Sequence, residues 1–318
     1  MIRAKRPSSP ASSFKIVLPG TSANLGPAFD AAALALKLFL QVSAKASGTY
    51  SILATGSDAE ICGRVENHLI LTTYRDVLLA ERKSVQPLSL RIKNEIPIGK
   101  GCGSSAAARL AGIALAAHFG KLRWSDNRII GEAASREHHS DNAAACWFGG
   151  LVAARMANTR EAQTVRIKPK GKWPLLLAIP DESLATEKAR QVLPAQYSRA
   201  DTVTNIQNSM ILLAAFVQGR PDLISAALED RMHQPYRASL CPLLPALHEM
   251  QTKSGILGVA LSGAGPSVLI FINPKASIAQ VKARVLRHLR AAGLSAEVVS
   301  TTITERGGSS SFRLGRRQ

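Results

Sequence analysis

Three glycines within five residues, lodged between a strand pattern and an apolar helix pattern, constrain what this chain can fold into more than any other feature. The segment Leu88-Ser-Leu-Arg-Ile-Lys alternates apolar and polar residues and reads as a half-buried strand. Next come Pro97, Ile98, Gly99, Lys100, Gly101, Cys102 and Gly103, then an alanine-rich helix pattern from Ser104 or Ser105 through Ala106 and Ala107 toward Gly120. Serine suits the N-cap of such a helix and glycine its stop. Glycine also lets the backbone take positive φ and come close to a ligand. Loop amides followed by the open N–H groups of a helix start form an anion site. Strand, glycine turn and helix in this order make a phosphate cradle the natural reading. Two others stay open at this point. Gly101-Cys-Gly-Ser-Ser-Ala fits the dinucleotide pattern GxGxxG/A, although no second strand ending in an acidic residue follows about 20 positions on. The turn could also be purely structural. The GxxxxGKS/T pattern of P-loop nucleotide binders is absent.

At 318 residues the chain is long enough for two domains. Pro169, Gly171 and Pro174 crowd together where the composition shifts, which puts the expected boundary between residues 1–170 and 171–318. No apolar run reaches the roughly 18 residues of a membrane span. The longest, residues 106–119, is interrupted by Arg109 and reads as a core helix. Arg3, Lys5 and Arg6 lie among serines and prolines with no apolar stretch behind them, so the expectation is a disordered tip on a cytoplasmic protein, with an organellar address as the alternative. Cys62, Cys102, Cys146 and Cys241 lack metal-ligand spacing and read as reduced, buried small hydrophobes. The net charge of +18 favours anionic ligands such as nucleotides. Aromatics make up only 5% and no basic stretch is interleaved with them, which argues against nucleic acid as a specific partner.

Further along the chain, residues 14–18 read as a first strand ended by Pro19-Gly20, and Trp124-Ser-Asp-Asn opens a helix. Residues 175–179 read as a short apolar strand, residues 221–232 as a helix with proline at its first position, and 259–261 with 268–272 as two strands around a glycine turn. Val203, Ile206, Met210 and Leu213 recur at helical spacing and read as a core-facing stripe; residues 279–292 read as an amphipathic helix. The tail after Thr304, rich in glycine, serine and arginine, reads as disordered. Strands and helices without a long parallel βαβ series point to an α+β architecture.

Further segments narrow the choice. Pro19-Gly-Thr-Ser-Ala-Asn-Leu-Gly-Pro-Ala-Phe-Asp resembles the first motif of the GHMP kinases in its homoserine kinase form, PxTSANLGxGFD. The 97–108 segment resembles the second motif, PxGxGLGSSAA, and Gly258-Val-Ala-Leu-Ser-Gly-Ala-Gly-Pro-Ser the third, GxxxSGSGPT. Ala134-Ser-Arg-Glu-His-His-Ser-Asp-Asn resembles the AxxEGHPDN segment of homoserine kinases, and the stretches around Thr186 and Pro235-Tyr-Arg are similar to that family too. The resemblance runs from about residue 14 to about residue 303. It implies an α+β, two-domain GHMP kinase fold, with a left-handed βαβ crossover in the N-terminal domain, a ferredoxin-like C-terminal domain and the site between them. It implies ATP with Mg²⁺, homoserine as the acceptor, and a homodimer as an expectation.

The resemblance also assigns roles. Asn24 and Asp30 match the residues that hold the amino acid, the aspartate suiting an ammonium group. Arg190 and Arg237 match the pair that grips its carboxylate, which a guanidinium fork can do bidentately. His139 and Gly263 complete the expected acceptor site. Glu137 and Ser104 match the cation ligands, a hard ion wanting oxygen donors. Thr186 matches a threonine near the transferred phosphoryl, and Asn67 the residue that meets adenine. Many relatives place an aspartate base where homoserine kinases have asparagine, here Asn142. The expectation is that Asn142 orients the acceptor hydroxyl without a strong general base, positioning and charge neutralisation carrying the reaction. The chain departs from the pattern at Gly20, Ala28, Cys102, Arg109, His138 and Ser140. The last two flank the expected metal and acceptor residues, so a different small hydroxylated acceptor, or a relative that binds ATP without turnover, are the alternatives.

Overall fold

The computed structural model describes residues 13–250 and 255–315. The expected disorder of residues 1–12 lies outside them. Two sheets organise the chain. The first contains β1 (Ser13–Asn24), β2 (Ala28–Ala46), β3 (Ser51–Gly56), β4 (Leu88–Asn94), β5 (Leu151–Met156) and β6 (Ala162–Ile167). Its order is β3-β4-β2-β5-β6, with β1 paired to β2. β2 is the hub. Across its 19 residues it pairs antiparallel with β1 from Ala28 to Lys45, with interruptions, while Leu40 to Ala46 pair with β4 and Ala32 to Leu34 with β5. β3 and β4 run parallel and are connected through α1 (Ala59–Gly63) and α2 (Leu69–Ala80), a βαβ unit. The first strand does not end at Pro19-Gly20 as expected. A register shift between those residues lets it continue to Asn24, because a bulge accommodates proline without breaking the strand.

Against this sheet lie α3 (Ser104–Phe119), α4 (Asp126–Glu137) and α5 (Asp141–Phe148). α3 is buried along most of its length and packs on α2, α4, α5 and β1. Its N-cap is Gly103 in the left-handed region, with no side-chain cap, so Ser104 and Ser105 begin the helix proper and their hydroxyls are not spent on capping. α4, the helix expected from Trp124-Ser-Asp-Asn, has a serine cap: the Ser125 hydroxyl accepts from the Arg128 amide.

The second sheet has the order β10-β7-β9-β8, made from β7 (Pro174–Ile179), β8 (Ile256–Leu261), β9 (Val268–Ile272) and β10 (Glu297–Thr302), all antiparallel. Numbered within the sheet this is the 4-1-3-2 order of a ferredoxin-like βαββαβ unit. Between β7 and β8 run α6 (Thr186–Gln191), α7 (Arg199–Gln218), a 3₁₀ turn at Pro221–Leu223 with α8 (Ile224–Ala227), α9 (Gln234–Arg237) and α10 (Leu243–His248). The helix expected over 221–232 is therefore shorter. α11 (Ile278–Ala291) buries Val281, Val285 and Leu289, one face at helical spacing. With α10 it covers one side of the sheet. The other side, through Leu175, Leu177, Leu269 and Phe271, joins Leu212 and Phe216 of α7 in the core that continues into the first sheet.

Two further expectations are overturned. The α7 stripe is mostly not core: Val203, Ile206 and Met210 are 47%, 57% and 64% exposed and only Leu213 packs partly against the core, because the helix buries Leu212, Ala215 and Phe216 instead. Nor is the tail from residue 305 to 315 disordered; the expectation for residues 316–318 lies outside the described residues. The tail forms α12 (Gly308–Gly315), which returns to β1 and α5. Phe312 packs on Trp147 and Phe14 with ring centroids 5.3 and 5.9 Å away, and the Val17 amide donates to the Ser311 hydroxyl at 3.1 Å. Gly308 belongs here because a Cβ would strike Leu18 and Trp147. Its composition mimics disorder; its packing does not.

Candidate active site

A cleft of about 690 Å³ lies between the sheets and gathers the three motifs. They are stitched together by hydrogen bonds to main-chain carbonyls. The Thr21 amide donates to Cys102 O at 2.9 Å, the Ser262 hydroxyl to Gly101 O at 2.8 Å, and the Gly263 amide to Ala23 O at 3.1 Å. Gly99, Gly101 and Gly103 all have positive φ, near 70° (69°, 75° and 71°). At Gly103 a Cβ would also collide with the Thr21 hydroxyl, so glycine is required twice over. Ile98, Gly99, Gly101, Gly103, Ser104, Ser105 and Ala106 line the cleft. Pro97, Lys100, Cys102 and Ala107 do not. Cys102 and Ala107 are core residues, burial pushing the Cys102 thiol up to about 12, and the Lys100 ammonium donates to Asp181 O. Asn67, in the left-handed region, lines the far end of the cleft with Ile61, Cys62 and His68.

Where α3 meets the end of α4, Glu137 Oε1 accepts from two donors, the Ser105 hydroxyl and Arg109 Nε, the latter at 3.1 Å. The hydroxyl that meets Glu137 is that of Ser105, while Ser104, the cation ligand expected from the sequence, lines the cleft beside it. Helical geometry explains this, since Ser105 and Arg109 are four residues apart and share a face. Carboxylate and hydroxyl oxygens in one corner of an anion site suit a hard divalent cation such as Mg²⁺. His138 caps α4 at φ 64°, which explains why the homoserine kinase pattern has glycine there.

Beyond it, Asn142 Oδ1 accepts from the Thr21 hydroxyl at 2.6 Å, which fixes the amide so that Nδ2 is left for the cleft. Thr21 was missed by reasoning from the sequence, although it lies inside the first motif. His139 Nδ1 is 2.8 Å from Asp141 Oδ1, which also accepts from the Asn142 amide. Burial alone would lower the His139 pKa, but the Asp141 hydrogen bond and charge, with Glu137 and Asp30, raise it above the ordinary value. Asp30, His139 and Asp141 carry ligand atoms within 4.8 Å of one another, yet each carboxylate is already committed to protein partners.

At the acceptor end, the end of β1, the turn after it and the start of β2 hold Asn24, Leu25, Gly26 and Asp30 at positive φ. Asn24 is occupied at both ends of its amide, Nδ2 donating to Gly263 O at 2.7 Å and Oδ1 accepting from the Asp30 amide at 2.9 Å. It shapes the turn. Asp30 receives both terminal nitrogens of Arg190, at 2.7 and 3.0 Å, on the cleft wall. Arg237 is only 1% exposed. Its Nε donates to Ala189 O at 2.9 Å and its terminal NH1 lies 3.2 Å from His233 Nδ1. Burial and the neighbouring Arg190 lower its pKa. Both guanidiniums face the Phe29 ring, 5.5 and 5.3 Å from its centroid. Phe29 and the fully buried His233 stack at 5.3 Å; neither was singled out in the sequence, where no spacing marks them. Thr186 and Gly263 line the same end.

Comparison with known proteins decides the family. The GHMP kinases N-terminal domain model matches residues 68–150 and the GHMP kinases C-terminal model residues 212–291. A homoserine kinase of Solibacter usitatus is 42% identical over 298 residues, covering 92% of this chain and 96% of the relative. The chain belongs to the homoserine kinase family of GHMP kinases. A homoserine kinase of Deinococcus radiodurans is 35% identical over 94% of this chain and 97% of its own length. Among solved structures, homoserine kinase from Cytophaga hutchinsonii superposes with a TM-score of 0.79 at 22% identity, over 96% of this chain and 99% of that one. Mevalonate kinase from L. major, in complex with R-mevalonate, superposes at 0.69 with 15% identity, over 96% and 100%. These two speak to the GHMP kinase fold.

Proposed function

We propose that this chain transfers the γ-phosphoryl group of ATP to the side-chain hydroxyl of homoserine. The observation that carries the acceptor is the Asp30–Arg190 pair with Arg237 behind it, on the wall of the cleft that begins at the glycine loop. A carboxylate and two guanidiniums are what an α-amino acid needs: an anion for its ammonium, cations for its carboxylate. Family membership supplies the phosphoryl donor.

Within this reading the loop amides and the start of α3 receive the phosphates. Glu137 and Ser105 would hold Mg²⁺, which when bound would neutralise phosphate charge. Asn142 Nδ2, its amide oriented by Thr21, directs the acceptor hydroxyl. The transition state of phosphoryl transfer is loose, so alignment and charge matter more than a strong base. Thr186 contacts the phosphoryl group in transit, and Asn67 the adenine. The division near residue 170 belongs to the same proposal, the nucleotide loop on one side and Arg190 and Arg237 on the other, with α12 returning across it. So does a cytoplasmic location: the four free cysteines are all buried thiols, as a reducing compartment keeps them, and no helix among the described residues is long and apolar enough to cross a membrane. A homodimer completes the reading, and the molar mass in solution tests it.

A coupled ADP-release assay with Mg-ATP tests the acceptor. Homoserine is expected to turn over, and threonine, serine and mevalonate to give at most a few per cent of that rate. Turnover with mevalonate in preference to homoserine would overturn the assignment.

A further inference from the structure

Arg109 is left over from that account. It sits one turn into a helix whose neighbours Ala106, Ala107, Leu110, Ala111 and Ile113 are fully buried or nearly so, a place where a charge is costly unless it is used or paired. Its partner Glu137 has a side chain only 8% exposed, while its own is 24% exposed and lines the cleft. Side chains on a helix lean toward its N-terminus, so Arg109 reaches back over the preceding turn. The shared acceptor shows how far: Arg109 Nε and the Ser105 hydroxyl meet the same oxygen, Glu137 Oε1. The guanidinium therefore stands at the mouth of α3, beside the loop amides and the cation corner. Only Nε is engaged; among the described residues NH1 and NH2 make no hydrogen bond. Glu137 also lies two residues before His139, and both line the cleft together with Asn142 and the acceptor-end residues Asp30 and Arg190. A phosphoryl group in transit has to pass there.

We propose that Arg109 is a phosphate-binding residue, held by Glu137 through Nε and presenting NH1 and NH2 to the oxygens of the terminal phosphoryl group of ATP. The inference rests on the phosphotransfer reading and adds a permanent cation to it, built into the helix behind the loop. A guanidinium fork pairs with phosphate oxygens bidentately, and in other phosphotransferases an arginine at the transferred group stabilises its charge. It also cancels the charge of Glu137 in the absence of metal, so that the terminal phosphate is held before a divalent cation arrives.

The test is the affinity of the full chain for ATP and for ADP, measured by calorimetry in EDTA and again with Mg²⁺, for wild type, Arg109→Lys and Arg109→Met. In EDTA, Arg109→Met is expected to weaken ATP about ten-fold or more, since a charge-assisted pair is lost, and to leave ADP within about two-fold. Arg109→Lys should fall between, because a point charge keeps attraction but not the fork. Homoserine affinity should not move. If ATP and ADP weaken alike, or neither changes, Arg109 merely supports Glu137 and the proposal is overturned. Should Arg109→Met fail to fold, Arg109→Lys decides it in the same way: loss confined to ATP supports the proposal, equal loss overturns it. A wild-type chain that binds neither nucleotide would overturn the phosphotransfer reading as well, which separates the two failures.

Discussion

Asp30 and Arg190 hold each other in the arrangement described here, each standing in for one end of a zwitterion. An amino acid entering between them would exchange one ion pair for two, whereas a ligand with a single charge would leave one partner unpaired. Asp30→Asn should therefore raise the KM for homoserine by roughly ten- to hundred-fold, the worth of one charged hydrogen bond, with the KM for ATP unchanged in the same assay. Arg237→Lys should act differently, because its fork is built into the protein. Lysine would leave Ala189 O and His233 Nδ1 without donors, lowering stability by about 1–3 kcal/mol in thermal unfolding besides weakening homoserine. His233 itself gives a pH signature. Desolvation, set against the attraction of Asp230 and joined by the repulsion of Arg237, holds its pKa down to about 4 in the folded chain, with Gly26 O and Asp30 acting the other way. The unfolded chain binds the proton more readily, at about 6.5. This contribution to stability is thus complete above pH 6.5 and is lost as pH falls toward 4. A melting temperature that declines through this window in wild type, and declines less in His233→Gln, is the expected result.

Elements show why some of this was legible beforehand and some was not. The strand–turn–helix of β4, the glycine loop and α3 announced itself because alternation, glycine placement and helical periodicity are local. So did α11, whose buried residues follow one stripe. β2 was invisible as a single 19-residue strand: its middle, Ala32 to Leu36, is buried on both faces and shows no alternation. α7 misled because periodicity marks a helix face without saying whether anything covers it. α12 misled because Gly-Gly-Ser-Ser-Ser is read as flexible when only composition is considered, whereas its glycines permit close packing on Trp147. Phe312 is then an anchor. Phe312→Ala should destabilise the chain by about 3 kcal/mol, as deletion of a buried aromatic does, read as a lower denaturation midpoint. A change within experimental error would show that α12 is not part of the folded unit.

For the whole molecule, the site is legible as a set of residues and illegible as a set of pairs. The motifs named Asn24, Asp30, Glu137, Asn142, Arg190 and Arg237, and the fold brings all of them to one cleft. That Asp30 would bind Arg190 across 160 positions, that the Ser105 hydroxyl would meet Glu137, and that Thr21 would orient Asn142, depend on how two sheets pack, which no local pattern records. The charge of +18 is a property at this scale as well. A field of that sign gathers an anionic nucleotide and is screened within about 10 Å at 0.1 M salt, so added salt should raise the KM for ATP while that for zwitterionic homoserine stays nearly level. The central claim is about where the phosphoryl group goes. Phosphorus NMR of the chain with Mg-ATP and homoserine should show ADP and, in equal amount, a new phosphomonoester whose phosphorus couples to a CH₂ group. ADP with inorganic phosphate alone, or no change with homoserine present, would contradict the account.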